Sequence, residues 1–347
     1  VVTITITGTN DVPVVSNAAS AALGSVTEAG VVSGTTVATG TLTATDVDVE
    51  ATQSWSVQGE PSTTYGSFAV NAETGVWTYT LDNTLAATQA LKTGEAVTQS
   101  YTVRVTDDMG GYADQTVTVT INGTNDAPVI TDASVVAGGV TEAGHLDDGT
   151  AVSGTVSATG TLVSTDVDAN ATKSWAVQGT ASTTYGSFAV NAATGVWTYT
   201  LDNTKTATQS LAEGQTATQS YTVRVTDDQG ASADQVVTIT ITGTNDVPVV
   251  SNAASAALGS VTEAGVVSGT TVATGTLTAT DVDVEATQSW SVQGEPSTTY
   301  GSFAVNAATG VWTYTLNNGL AATQALKGSQ TVTQSYTVRV TDDKGAY

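Results

Sequence analysis

Cysteine is absent from all 347 residues, so neither a disulfide framework nor a thiolate metal site can form. Histidine occurs once, at His145, and one imidazole cannot by itself build a zinc site or a recurring acid–base set. Lysine and arginine are scarce, 8 against 32 aspartates and glutamates, for a formal charge of −24. Nucleic acid and anionic membrane surfaces are recognised through Lys and Arg, so this charge repels both kinds of partner. No run of 18 apolar residues occurs, and no membrane-spanning helix is expected. Initiator methionine and signal peptide are missing too, which fits a piece excised from a longer protein.

What is present is enough to fold. Hydrophobic residues make up 40%, sufficient for real cores. The length suits three domains of roughly 100–150 residues. The excess negative charge destabilises a compact chain through self-repulsion unless a cation neutralises it.

Internal repetition is the dominant signal. Gly-Thr-Asn-Asp-(Val/Ala)-Pro occurs at Gly8–Pro13, Gly123–Pro128 and Gly243–Pro248. Thr-Asp-Val-Asp occurs at 45–48, 165–168 and 280–283, and Tyr-Thr-Val-Arg-Val-Thr-Asp-Asp at 101–108, 221–228 and 336–343. The first period, Asp11 to Asp126, is 115 residues; the second, Asp126 to Asp246, is 120. The extra residues fall at Gly144–Thr150, which reads as a longer surface loop, with His145 a solvated residue within it. Val1–Thr9 is identical to Val236–Thr244, the last strand of copy two, whereas copy three stops at Tyr347 before that strand. The expected organisation is the last strand and linker of a preceding repeat (1–11), then repeats at 12–126, 127–246 and 247–347, the third lacking its last strand. A second expectation follows: Val1–Thr9 completes copy three of a neighbouring chain by head-to-tail strand exchange.

Within one copy, short alternating Thr/Val-rich segments are separated by Gly, Asn, Asp and Ser, the pattern of a half-buried antiparallel sheet. Strands are expected near Val12–Ser16, Gly24–Glu28, Val37–Thr45, Gln53–Gln58, Gly66–Val70, Val76–Leu81, Gln99–Thr106 and Gln115–Ile121. Asn71–Gly75 makes a hairpin turn, and Ala86–Lys92 is the one stretch suited to a helical turn. Seven or eight short strands in about 115 residues predict an all-β, Greek-key immunoglobulin-like sandwich. Trp77, Tyr79 and Leu81 share one strand face and, with Trp55, Phe68 and Tyr101, supply the expected core.

In such a sandwich the loops after the second and sixth strands lie at the end where the chain enters. Asp46 and Asp48 fall in the first loop, Asp107 and Asp108 in the second, and Asn10 and Asp11 in the linker. Glu28, Glu142 and Glu263 each follow a first strand that runs the length of its domain, so each is expected to face the next junction. One cluster would join Glu28, Asn125, Asp126, Asp166, Asp168, Asp227 and Asp228. The next would join Glu142, Asn245, Asp246, Asp281, Asp283, Asp342 and Asp343. Six acidic positions per copy account for 18 of the 32 acids. Carboxylates packed so closely repel one another, which raises their pKa values or opens the loops. A Ca²⁺ ion with six to eight oxygen ligands resolves the conflict, and Asp-x-Asp in an extended loop can aim both side chains at it.

GTND(A/V)P, TDVD, YTVRVTDD and NAxTGVWTYTL together resemble the VCBS repeats of giant bacterial adhesins, many exported by type I secretion with RTX-type termini. More distantly, the linker Asn-Asp, the Asp-x-Asp and the first-strand Glu are similar to the calcium-ligand pattern of cadherins. The resemblance covers the whole chain and implies cadherin-like sandwiches joined by short calcium-binding linkers. It further implies a secreted, cell-surface extension region serving attachment or biofilm formation. One departure stands out. The cadherin acidic motif before the sixth strand has no equivalent kept in all three copies, since Glu95 is matched by Gln215 and Gln330, and Asp82 by Asp202 and Asn317.

A spacer stiffened by calcium is the expected role. The alternative is a glycan- or cell-binding module acting by avidity of its near-identical copies. No recurring nucleophile or acid–base set argues for an enzyme, and adjacent Asp107 and Asp108 point to opposite strand faces rather than pairing as a hydrolase would need.

Overall fold

The computed structural model describes all 347 residues. In repeat one the Thr/Val alternation becomes nine short strands and one helical turn. They are β1 Val14–Val15, β2 Leu23–Thr27, β3 Val37–Thr41, β4 Ala44–Thr45, β5 Gln53–Val57, β6 Gly66–Val70, β7 Val76–Leu81, α1 Ala86–Gln89, β8 Ala96–Asp107 and β9 Tyr112–Asn122. One sheet has the order β2-β9-β8-β5, the other β3-β7-β6, and β1 pairs with β4 beside them. Every pairing is antiparallel except β2 with β9, which is parallel.

Apolar faces of the two sheets close on a core that includes Trp55, Phe68, Trp77, Tyr79, Leu81 and Tyr101. The Phe68 and Tyr101 rings stack at 4.2 Å. Burying Trp77 completely requires bare backbone on both sides. A Cβ on Gly24 would come within 2.7 Å of the indole, and one on Gly40 within 2.7 Å of its Nε1. The indole N–H is satisfied by the Ala21 carbonyl at 2.8 Å. Gly75 closes the β6–β7 hairpin at φ +67°, a conformation that favours glycine.

Two expected strands are broken rather than continuous. The first does not run the length of the domain in one sheet. It pairs with β4 in a small two-stranded ladder, turns through a short 3₁₀ segment at Ala19–Ala22, and re-emerges in the four-stranded sheet as β2. Small residues from Ala18 to Ala22 permit the tight crossing over Trp77. The Val37–Thr45 segment splits into β3 and β4 because buried Leu42 leaves the ladder, its amide donating to the Gly75 carbonyl.

Repeat two builds the same sandwich from Ala137–Thr141, Ser232–Thr242, Thr216–Asp227 and Lys173–Val177 against Ser157–Thr161, Val196–Leu201 and Gly186–Val190. Its insertion is not a plain surface loop: Gly144–His145 and Ala151–Val152 pair as a small hairpin. In repeat three the sheet of Val272–Thr276, Val311–Leu316 and Gly301–Val305 is intact. The other is reduced to Gln288–Val292 paired with Val338–Asp342. The reason is visible in repeat one, where only Val103–Asp107 of β8 pair with β5 while Ala96–Thr106 pair with β9. Without a counterpart of β9, residues 331–337 and 258–262 have no ladder to join and form no strand. Val1–Thr9 likewise lies in no strand and is exposed throughout.

Candidate functional site

The acidic motifs converge where repeats meet. At the first junction β9 ends at Asn122, and the Glu28 amide donates to the Asn122 carbonyl at 2.9 Å, which sets Glu28 beside the linker. Its side chain is fully buried and accepts from the Thr124 amide at 3.3 Å and from Gln89 Nε2 at 3.0 Å. The linker then hands over to repeat two. Asn125 Nδ2 donates to Asp227 Oδ2 at 2.9 Å, the Asp126 amide to Asp168 Oδ2 at 2.9 Å, and the Asp168 amide to Asp166 Oδ1 at 3.1 Å. Gly30 keeps the linker close, since a Cβ there would lie 2.4 Å from the Asn125 carbonyl. The repeats also touch directly, the Ala169 amide donating to the Ala90 carbonyl at the end of α1, 3.1 Å away.

The second junction repeats this wiring. Glu142 accepts from the Thr244 amide and from Gln209 Nε2 at 2.7 Å. Asn245 donates to Asp342 Oδ2 at 2.9 Å, the Asp246 amide to Asp283 Oδ2 at 2.8 Å, and the Asp283 amide to Asp281 Oδ1 at 3.1 Å. The Val284 amide reaches the Ser210 carbonyl at 3.1 Å. At the start of repeat one, Asn10 bonds Asp107, the Asp11 amide bonds Asp48, and the Asp48 amide bonds Asp46, so half of a junction is present there.

Hydrogen bonding leaves a specific remainder. Asp126 Oδ2, Asp166 Oδ2 and Asp168 Oδ1 are buried without a partner at the first junction, and Asp246 Oδ2, Asp281 Oδ2 and Asp283 Oδ1 at the second; Asp46 Oδ2 matches them in repeat one. Buried charge without a partner is costly, and the titration behaviour reflects it. Burial, opposed by the Thr124 amide and reinforced by Asp126 and Asp168, raises Glu28 to about 7. Glu142 is raised to about 7 by burial, with Asp246 and Asp283 adding repulsion. Burial, then Asp168 and Asp166, raise Asp126 to about 6, and burial likewise raises Asp283 to about 6. Asp168, Asp246 and Asp281 are pushed up chiefly by burial as well.

The tandem aspartates have separate fates. Asp107, Asp227 and Asp342 are buried, and each caps its own turn. Asp227 Oδ1, for example, accepts from the Gln229 and Ala231 amides. At Asp107 burial works upward, but bonds from Asn10 and the Met109–Gly111 amides outweigh it and hold the carboxyl low. Asp108, Asp228 and Asp343 are exposed at the rim, accepting from Thr52, Thr172 and Thr287 amides. Glu263 bonds Gln324 but meets no linker in this chain. Two positions escaped sequence reading. Gln89 and Gln209 brace the buried glutamates, a role signalled only by the recurring Ala-Thr-Gln at 87–89, 207–209 and 322–324. His145, expected to be solvated, is partly buried with Nδ1 3.7 Å from Asp246 Oδ1, because the insertion folds back on the linker.

No three of these side chains form a preassembled coordination cage. What each junction offers is a cluster of oxygens from two repeats and the linker between them, several without a partner.

Comparison with curated protein sequences found no match. Among solved structures, the chain is similar to the protocadherin γB4 extracellular domain, with 22% identity over 89% of this chain and 45% of that one, TM-score 0.46. Mouse cadherin-23 EC22-24 gives 18% identity over 89% of both chains, TM-score 0.46. Protocadherin γB2 extracellular domains 1–5 give 16% identity over 95% of this chain and 59% of that one, TM-score 0.47. The chain thus spans about half the length of the two protocadherins. A profile described as "Bacterial cadherin-like domain" matches residues 10–123, 125–243 and 245–347, nearly the whole sequence. The chain therefore belongs to the bacterial cadherin-like domain family, as three copies of that domain in tandem.

Proposed function

We propose that this chain is a run of calcium-stiffened spacer repeats from a large secreted bacterial surface adhesin of the VCBS/RTX kind, projecting a distal binding region for attachment or biofilm formation. Family membership supports the extracellular, adhesion-type role. One observation carries the calcium assignment: the same three buried oxygens, on equivalent residues, stand without partners at both junctions. The donors are all hard oxygens, the set that suits Ca²⁺. At the first junction Glu28, Asn125, Asp126, Asp166, Asp168 and Asp227 would hold the ion, with Asp228 at the rim. At the second the set is Glu142, Asn245, Asp246, Asp281, Asp283 and Asp342, with Asp343 at the rim. Asn10, Asp11, Asp46, Asp48, Asp107 and Asp108 form half of such a site, and Glu263 belongs to another half. An ion bound there would supply positive charge to a cluster in which carboxylates far outnumber the one nearby cation at the first junction, Lys92.

Mechanically, the donors come from both sides of each linker, so an ion bound there ties two rigid bodies into one. Residues 1–11 belong to a preceding repeat on this reading. Extracellular calcium modules bind with dissociation constants of about 10⁻⁴–10⁻³ M. Calcium titration followed by small-angle scattering and thermal melting tests the proposal. Extension and melting temperature should both rise with the ion. Identical scattering curves in millimolar calcium and in chelator would reject it.

A further inference from the structure

The two junctions differ at one position, and the difference is chemical. In repeat one the Val31 amide donates to the linker carbonyl of Asn125 at 2.8 Å, with an apolar, exposed side chain beyond. In repeat two the same place is held by His145, whose amide donates to the Asn245 carbonyl at 2.6 Å. The hairpin inserted after it lies against the turn at the end of repeat three, since a side chain on Gly149 would come within 3.3 Å of the Tyr347 carbonyl. The imidazole is thereby partly buried, with Nδ1 3.7 Å from Asp246 Oδ1.

We propose that the second junction can exchange calcium for a divalent transition-metal ion of the zinc type, with His145 and the carboxylates of Asp246 and Asp283 as its ligands. His145 Nδ1 is buried without a hydrogen-bond partner, and so are Asp246 Oδ2 and Asp283 Oδ1, on residues that are both more than nine-tenths buried. The 3.7 Å between His145 Nδ1 and Asp246 Oδ1 is too long for a hydrogen bond. It lies within the span of two ligands each about 2.0–2.2 Å from one ion. Calcium prefers oxygen alone, whereas imidazole shifts preference toward zinc, nickel and copper. The first junction, all oxygen with Val31 at its edge, keeps the calcium preference. The inference rests on the reading of the junctions as metal sites, and repeat one provides its internal control.

Because His145 is the one histidine in the chain, its imidazole protons give an unambiguous NMR signal. The test adds ZnCl₂, and separately CaCl₂, to the metal-free full chain, to His145→Val and to Val31→His, with calorimetry alongside. His145→Val copies the residue repeat one already uses, so folding is preserved. Zinc should shift the imidazole signals at stoichiometric addition while calcium leaves them nearly unmoved. Zinc affinity should fall about tenfold or more in His145→Val, the loss usual even for outer partners of a metal. Val31→His should gain a second zinc site. Imidazole signals unmoved by zinc, or equal zinc binding by wild type and His145→Val, would overturn the proposal. If calcium still raises the melting temperature of both proteins in that event, the calcium reading survives alone. If zinc binds through His145 while calcium has no effect on any variant, the spacer reading fails instead.

Discussion

Acidification should stabilise the metal-free protein and destabilise the calcium-loaded one, an inversion that follows from the buried junction carboxylates. Glu28 and Glu142 rise from 4.5 to about 7 on folding, and Asp126 and Asp283 from 3.8 to about 6. A carboxyl whose folded pKa exceeds its unfolded value contributes stability that is complete below the unfolded pKa and lost as pH rises through the folded one. The window is therefore about pH 4–7. At roughly 1.4 kcal/mol per unit, a shift of that size corresponds to about 3 kcal/mol for one glutamate. Water reaching the cluster screens part of it, so on the order of 1–3 kcal/mol per junction is expected. For a domain near this size, each kcal/mol moves the melting temperature about 4 °C, so metal-free melts at pH 5 should exceed those at pH 8 by about 4–12 °C. Calcium reverses the slope because its ligands must be deprotonated, and acid then expels the ion.

Carboxylates held low elsewhere do not obscure this effect. Asp107, Asp114 and Asp234 lose their contribution only as pH falls below the ordinary aspartate range, outside the window. Calorimetry from pH 5 to 8, in metal-free buffer and in millimolar calcium, makes the measurement. The double variant Glu28→Gln/Glu142→Gln mimics the protonated state, so it should melt higher than wild type at pH 8 without metal and respond less to calcium. A metal-free melting temperature that falls steadily between pH 8 and pH 5 would refute the reasoning.

Asp168→Asn should weaken calcium binding at the first junction by about tenfold or more while sparing the second, so calorimetry loses one class of sites rather than all. Gln99→Leu should cost about 1–3 kcal/mol whether or not calcium is present. It strips a buried acceptor from the Tyr79 and Tyr101 hydroxyls and a donor from Ser62. Repeat three has an unladdered edge beside Val338–Asp342, so a synthetic peptide of the Val236–Thr244 sequence should raise its melting temperature by strand addition. The same complementarity through Val1–Thr9 would yield head-to-tail oligomers, visible by sedimentation and lost on deleting residues 1–9.

The fold was legible because its determinants are local and repeated: period-two alternation, the Asn71–Gly75 turn, and large apolar residues at Trp77 and Tyr79. What escaped was tertiary. That the first strand changes sheets depends on Ala18–Ala22 crossing the Trp77 indole, and nothing in the alternation of those residues announces it. The convergence of three acidic motifs followed from topology, yet which oxygens stay unpaired did not. Within each Asp-Asp pair, one side chain caps its turn and the other leans outward, a division set by the turn amides rather than by composition.

His145 illustrates the limit most sharply. As the single histidine of the chain, set in an inserted loop, it reads from sequence as a solvated residue. Its position is fixed instead by a backbone bond to the linker that Val31 makes equally well in repeat one. The backbone therefore seats this position beside the linker in both repeats, whatever residue occupies it. A site that recurs by backbone geometry can be retuned one junction at a time by a single side chain, and comparing copies within one chain is how such retuning becomes visible.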